Sequence, residues 1–131
     1  MKSYFISSKS DTSIYQQLYD QIEAQILSGE LKSGTNLPSI RTMAKELRVS
    51  VITIKKTWEE LEKSGYILTI SGKGSYITTN SKETLKKKKF DLVKDIFRDN
   101  ILQCKTLEIS KKEIIDIIED LYDVIPKKDT H

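Results

Sequence analysis

The sequence contains very little of the side-chain chemistry on which most enzymes and metal sites depend. Its 131 residues include one cysteine, Cys104, and one histidine, His131. One cysteine excludes a disulfide within the chain and a cluster of thiolate ligands. One histidine leaves the usual zinc sites without ligands and removes histidine-based acid–base catalysis. Because the sequence also shows no nucleophile–base pair, phosphate-binding loop or metal-ligand spacing, we expect no catalytic residue, no metal and no cofactor, and predict that the chain is not an enzyme.

Long hydrophobic runs are also missing. No apolar segment approaches the roughly 18 residues that cross a bilayer. The start of the chain, MKSYFISS, is too short and too polar for a signal peptide. We therefore expect a cytoplasmic protein without membrane contact. Hydrophobic residues at 37% and charged residues at 31% fit a small globular chain, whereas a net charge of +3 is too modest to identify a partner.

The first part of the chain has the layout of a winged helix. Hydrophobic residues at four-residue steps predict a helix over about 13–28. Two shorter helices are predicted over about 40–47 and 51–64, each preceded by a serine that can cap it. Two such helices joined by a few residues form a helix-turn-helix. β-branched and aromatic residues on both sides of a Gly-Lys-Gly turn at 72–74 then predict a β-hairpin, which completes the layout.

The third predicted helix carries positive charge at its beginning. At roughly 100° per residue, its apolar residues Ile54, Trp58 and Leu61 share one face, which we expect to lie in the core. The segment 41–56 has a net charge of +4, whereas 57–64 has a net charge of −2. A recognition helix meets phosphates and base edges at its N-terminal end. This distribution therefore favours DNA binding over an ordinary solvated face.

Six short segments resemble the GntR family of bacterial transcription regulators. These are IYQQ at 14–17, SGELKSG at 28–34, LPSIR at 37–41, LRVS at 47–50, LEKSGYI at 61–67 and GKGSYI at 72–77. The resemblance covers about 12–80 and implies a winged helix-turn-helix DNA-binding domain over that range.

The resemblance also implies which residues contact DNA. Arg41 matches the family's contacting arginine, and Gly72 matches the glycine that approaches the minor groove, with Lys73 beside it within reach of a phosphate. Other matches lie around the start of the third helix. The full set of candidate DNA-binding residues is Ser39, Arg41, Ser50, Val51, Ile52, Thr53, Lys55, Lys56, Gly72 and Lys73.

Val51 and Ile52 depart from the pattern of some family members, which have an arginine and a threonine there. That arginine reads guanine, but valine cannot donate a hydrogen bond. Apolar side chains in the major groove can pack against thymine methyl groups. We therefore expect contacts to A/T base pairs at these two positions, and any reading of guanine would fall to Arg41 or Lys55. Ile52 can equally be a single exposed apolar residue, which is common on protein surfaces.

The remaining segment, 81–126, is predicted to form two helices. It resembles the short tail of the YtrA subfamily, which serves dimerisation. In the last helix apolar residues cover about half of the helical projection, which is wider than the roughly 100° needed for one neighbour. We expect one flank to pack on the preceding helix and the other on a second chain, although the winged domain of the same chain could also cover it. The candidate dimerisation residues are Phe90, Val93, Phe97, Ile101, Ile114, Ile118, Leu121, Tyr122 and Ile125.

These patterns predict a homodimeric regulator of transcription, mainly α-helical with a small β-hairpin, that binds double-stranded DNA at a pseudo-palindromic operator. The resemblance implies a repressor of ABC-transporter genes. Two other functions stay open at this point, a non-specific architectural nucleic-acid binder and a protein-interaction module. Lysines 86–89 are either phosphate contacts or a solvated helix start. A small-molecule effector, which the sequence does not identify, could bind between the two regions or near Phe90, Phe97 and Tyr122, where the aromatic residues could equally be core.

Overall fold

A computed structural model describes residues 4–78, 80 and 82–127. The elements in chain order are α1 (Ile14–Leu27), α2 (Ile40–Leu47), α3 (Val51–Lys63), β1 (Ile67–Ile70), β2 (Gly74–Ile77), α4 (Lys82–Thr106) and α5 (Lys111–Leu121). The strands form an antiparallel hairpin in which Ile67 pairs with Ile77. This arrangement confirms the predicted fold class. Ser81, at the predicted domain boundary, and His131 lie outside the described residues.

The chain divides into two compact units, Met1–Leu85 and Lys86–His131. The first contains the helix-turn-helix and the hairpin. The second contains most of α4 and all of α5. The division falls within α4 rather than at its beginning, and the domain limits 12–80 and 81–126 stay a prediction.

Serine side chains determine where the first three helices begin. The hydroxyl oxygens of Ser13, Ser39 and Ser50 each accept a hydrogen bond from the backbone N–H three residues ahead, at 3.3, 3.1 and 3.1 Å. Each bond satisfies a donor that has no partner within its own helix. The helix-turn-helix is therefore defined locally at the N-terminal end of each helix.

The turn between α2 and α3 depends on an unusual backbone conformation. Arg48 has φ of 57° and ψ of 45°, the left-handed region, and its N–H bonds to the carbonyl groups of Ala44 and Lys45. Glycine usually occupies this position, because a Cβ atom is strained there. The sequence predicts a tight turn at this point but not its geometry.

The core of the first unit lies between the three helices and the base of the hairpin. Helix α3 packs against both α1 and α2. Its predicted inner face is confirmed, because Ile54 and Leu61 are fully buried and Trp58 is nearly so. The other main core residues are Leu18 and Ile22 of α1, Met43 and Ala44 of α2, and Tyr66, Ile67 and Ile77 of the hairpin region.

A polar cluster fastens α1 to the segment that follows α3. The Tyr66 hydroxyl donates a hydrogen bond to Glu23 Oε2 at 2.8 Å, and the Tyr19 hydroxyl donates one to Ser64 Oγ at 2.8 Å. The two tyrosine rings meet edge to face, with centroids 6.5 Å apart. Burial, together with the neighbouring Glu23 carboxylate, raises the pKa of Tyr66 above its ordinary value of 10.0. Burial also raises the pKa of Tyr19, so both tyrosine hydroxyls keep their protons near neutral pH.

An N-terminal segment runs along α1, held by glutamine side chains. The Gln17 amide accepts a hydrogen bond from the Ser7 N–H and donates one to the Ser7 carbonyl, both at 2.8 Å. Gln21 does the same at Phe5, at 2.8 and 2.7 Å. Each side-chain amide thus bonds to both the N–H and the carbonyl of one residue, as the backbone of a paired β-strand would. The hydrophobic pattern of α1 gives no sign of this arrangement, because the glutamines act through polar groups on the outer side.

The second unit differs from its prediction in two respects. No residue of α4 or α5 is buried in the described part of the chain, so the expected covering of one α5 flank by α4 is not found. Helix α5 also ends at Leu121, ahead of Pro126, and Ile125, one of the candidate dimerisation residues, follows the helix instead of lying on it. A proline disfavours helical backbone in the residue before it, which is consistent with an end ahead of Ile125.

The described residues contain no helix long and apolar enough to cross a membrane. They also contain no group of three or more histidine, cysteine, aspartate or glutamate residues that could hold a metal ion.

Replacing Arg48 by glycine should raise the free energy of unfolding by roughly 0.5–1 kcal/mol, because glycine removes the strain at positive φ. Arg48→Ala is the matched control, since it removes the guanidinium but keeps the Cβ atom. Urea denaturation of the three proteins measures the difference. Equal stability of the glycine and alanine variants would contradict the assignment of strain at Arg48.

Candidate nucleic-acid interface

The first turn of α3 presents two large apolar side chains to solvent. Ile52 is 79% exposed and Val51 is 48% exposed. Ile52 lies on the side opposite to the buried face of the same helix, as the sequence pattern predicts, and Val51 lies beside it on the first turn. Exposure of Ile52 brings no packing energy to a lone chain, so the residue is available for an apolar contact with a ligand.

Hydroxyl groups hold the N-terminal end of α3 in place. Ser50 Oγ caps the helix, and it shares a 2.8 Å hydrogen bond with Thr53 Oγ1. At α2, Ser39 Oγ likewise caps the helix and donates to Thr42 Oγ1 at 2.8 Å. Three predicted DNA contacts therefore also stabilise the helix starts of the chain itself: Ser39, Ser50 and Thr53. The free N–H groups and the dipole at each helix start favour a nearby anion.

An open groove of about 490 Å³ runs between the start of α2 and the hairpin. Ser39 and Arg41 line it on the helical side, Lys73 lines it on the hairpin side, and Trp58 contributes to its wall. Arg41 and Lys73 are both exposed. The structure thus brings together two predicted cationic contacts that are far apart in sequence, around a space that a polyanionic backbone can enter.

The connector before α2 fixes the hairpin beside this groove. The Leu37 N–H donates to the Ser75 carbonyl at 2.9 Å, and the Gly34 N–H donates to the Ile77 carbonyl at 2.8 Å. Asn36 also forms an isolated bridge with Tyr76. Because this strand-like connector leads directly into α2, the hairpin and the α2 N-terminus are held side by side. Sequence reasoning missed this contact, since the connector contains only turn signals and no strand pattern.

The tip of the hairpin needs glycine. Gly72 has φ of 78° and Gly74 has φ of 90°, values that other residues rarely adopt. The Lys73 N–H closes the turn on the Ile70 carbonyl at 2.9 Å, and the Tyr76 hydroxyl donates to the Lys73 carbonyl at 2.8 Å. These bonds fix the backbone of Lys73 while its side chain extends into solvent at the groove.

The two lysines of α3 have different surroundings. Lys55 and Lys56 are both exposed. The Lys56 ammonium lies over the Tyr15 ring, 4.1 Å from its centroid. Lys55 has no such contact in the described residues. The predicted pair of cationic contacts is therefore divided between one lysine held against α1 and one that extends from α3 alone.

The second unit carries an extensive exposed apolar surface. Phe90, Phe97 and Ile101 on α4 are 55, 45 and 39% exposed. Ile114 at the start of α5 is half-buried. The remaining candidate dimerisation residues, Val93, Ile118, Leu121, Tyr122 and Ile125, are exposed. In the lysine run, Lys87 forms a 3.3 Å ion pair with Asp91, so part of its charge is balanced on its own helix.

Comparison with protein-family models finds a match over residues 14–77, to "Bacterial regulatory proteins, gntR family". The chain is 31% identical to the HTH-type transcriptional repressor YtrA of Bacillus subtilis, over 88% of this chain and 89% of that one. It is 34% identical to an uncharacterised HTH-type transcriptional regulator of the same organism, YhcF, over 91% and 95% of the two chains.

Solved structures show the same similarity. A GntR family transcriptional regulator from Listeria monocytogenes superposes with a TM-score of 0.76 at 29% identity, covering 86% of this chain and 98% of that one. YtrA from Sulfolobus acidocaldarius, a GntR-family transcription factor, superposes with a TM-score of 0.55 at 30% identity, covering 92% and 97%. In both cases the match extends beyond the winged helix into the second unit.

Proposed function

The chain belongs to the GntR family of bacterial regulatory proteins, and from this we propose that it is a cytoplasmic, homodimeric transcriptional repressor that reads a pseudo-palindromic operator. The observation that carries the proposal is the groove between α2 and the hairpin, with Arg41 on one side and Lys73 on the other. A DNA backbone supplies phosphates to both cations. Such contacts fix the orientation of the protein on the duplex and give binding that depends strongly on salt.

The start of α3 supports direct reading of bases in the major groove. Its first turn combines two exposed apolar side chains, Val51 and Ile52, with Lys55 one turn further on. Val51 and Ile52 provide methyl groups for contact with thymine, while Lys55 or Arg41 can donate to guanine. Gly72 carries no side chain at the hairpin tip, so the tip can approach the minor groove closely, with Lys73 at a phosphate.

The exposed apolar surface of α4 and α5 supports a dimer. Contiguous apolar patches larger than a few hundred Å² are rarely left open on soluble monomers. Each Å² of apolar surface removed from water contributes about 25 cal/mol, so covering several Phe, Ile and Leu side chains gives substantial stabilisation. A second copy of this chain brings an identical apolar surface and generates two-fold symmetry. Two recognition helices would then read two halves of a palindrome.

Repression follows from occupation of a promoter. A dimer bound across an operator excludes RNA polymerase from the same DNA. The similarity to YtrA leads us to propose ABC-transporter genes as targets.

Arg41→Gln and Lys73→Gln should each weaken binding to a duplex enriched from a random library by roughly tenfold, because each loses a charge-assisted contact to a phosphate. Each should also lower the slope of log affinity against log salt by about one. Fluorescence anisotropy at several salt concentrations measures both quantities. Trp58, the one tryptophan of the chain, lines the groove and should change its emission when DNA binds.

The matched control is Lys63→Gln, which removes the same charge at the other end of α3, where Lys63 pairs with Glu60 at 3.8 Å. It should leave affinity and salt slope nearly unchanged. If all three variants lose affinity equally, net charge rather than the groove determines binding, and the groove is not the backbone contact.

Replacing thymine by deoxyuridine at single positions of the enriched half-site should weaken binding about two- to fivefold where Val51 or Ile52 contacts the methyl group. The Val51→Ala and Ile52→Ala variants should no longer distinguish the two bases at their own positions. Competition titrations measure the ratio. A half-site without any dependence on a thymine methyl would contradict the proposed readout.

Phe97→Glu should convert a dimer into a monomer in sedimentation velocity at micromolar concentration, because it places a charge within the apolar surface of α4. Gln103→Glu adds the same charge to an exposed polar position of that helix and should leave the dimer intact. A wild-type chain that sediments as a monomer would refute the dimer.

A further inference from the structure

Lys56 is held by an aromatic ring of another helix rather than by an acid. Its ammonium lies 4.1 Å from the centroid of Tyr15, the second residue of α1. Tyr15 is half-buried and Lys56 is exposed. Within the described residues Lys56 forms no ion pair or hydrogen bond, and the Tyr15 hydroxyl forms no hydrogen bond. Among the described residues, the contact between ring and ammonium is therefore the one directional interaction of the Lys56 ammonium and of the Tyr15 ring.

A ring and a carboxylate have different consequences for a lysine. A carboxylate neutralises the ammonium and competes with any other anion. An aromatic face attracts the cation through its quadrupole and leaves the net charge unchanged. It also restricts a side chain that otherwise loses much rotamer freedom when it is ordered by a partner. Tyr15 thus orders Lys56 in advance while the full positive charge stays available.

The two lysines of α3 extend in directions that differ by roughly 100°, because they are consecutive on a helix. The Lys56 ammonium reaches back to Tyr15 at the start of α1, and Lys55 has no such ring contact in the described residues. Phosphates line both edges of the major groove, so an ammonium held toward a neighbouring helix is placed for a phosphate. Lys55 has no such restraint in the described residues and keeps the freedom to reach a base edge.

We propose that Tyr15 is a positioning residue for DNA binding, which holds Lys56 at the α1 edge of α3 so that its ammonium meets a DNA phosphate. The inference rests on the proposed function and adds to it that the two lysines of α3 have different roles in DNA binding. Lys56 contributes affinity for any sequence, and Lys55 contributes to the choice of sequence.

The test uses a double-mutant cycle on the full chain with a 30-base-pair duplex of random sequence, because a phosphate contact does not require the operator. Tyr15→Phe keeps the ring and should bind within twofold of wild type. Tyr15→Leu removes the ring but keeps an apolar side chain, and should bind about threefold more weakly. Lys56→Gln should lower the salt slope by about one. In the Lys56→Gln background, Tyr15→Leu should have no further effect.

A second measurement checks the geometry without DNA. In NMR spectra the ε-methylene protons of Lys56 should be shifted upfield by the ring current in wild type and Tyr15→Phe, and the shift should vanish in Tyr15→Leu. This readout also separates a folded variant from one that has lost its structure.

Three outcomes would overturn the inference. Equal weakening by Tyr15→Leu with and without Lys56 would give Tyr15 a general packing role. An unchanged salt slope in Lys56→Gln would remove the phosphate contact. Failure of the wild-type chain to bind any duplex would refute the proposed function itself, a result recognisable before any variant is compared.

Discussion

Helix α3 has to bury one face and expose the other, and the rest of the first unit is arranged around that requirement. Ile54, Trp58 and Leu61 are packed between α1, α2 and the hairpin. This packing anchors the helix, so its first turn can carry the exposed side chains of Val51 and Ile52 without loss of the fold. A helix held by less apolar surface would gain stability by rotating those two residues inward, and the surface proposed to read DNA would be lost.

Both short-range and long-range contacts determine where the other candidate DNA-binding residues lie. Serine caps determine where α2 and α3 begin, and the left-handed Arg48 sets the turn between them. The strand-like connector then ties the hairpin to the α2 N-terminus through backbone hydrogen bonds. As a result, Arg41 and Lys73 border one groove although they belong to different elements. Backbone hydrogen bonds rather than side-chain pairing define the spacing of these cations, and neither of them forms an ion pair with another described residue.

Much of this could be predicted from the sequence, because the relevant signals are local. Apolar periodicity identifies the buried face of α3, serines mark the helix starts, and glycine marks the hairpin tip. The missed features depend on partners distant in sequence or on strain at a non-glycine residue. They are the bonds of Gln17 to Ser7 and of Gln21 to Phe5, the Tyr15 ring over Lys56, the pairing of the connector with the hairpin, and the conformation of Arg48. The apolar pattern of α4 and α5 identifies a surface that has to be covered by another apolar surface. A pattern within one chain does not specify which surface that is. The expected packing of α5 on α4 is not found in the described residues, because no residue of either helix is buried.

The most direct measurement is the selection of bound sequences from a random duplex library at about 150 mM salt, where non-specific attraction to phosphates is weakened. If the chain is the proposed homodimer, its two symmetry-related recognition helices should enrich a palindrome, with A/T base pairs in each half-site opposite Val51 and Ile52. Binding without enrichment of any sequence would show an architectural nucleic-acid binder instead. Absence of binding would leave the tail as a protein-interaction module and would contradict a repressor that acts through its own DNA contacts.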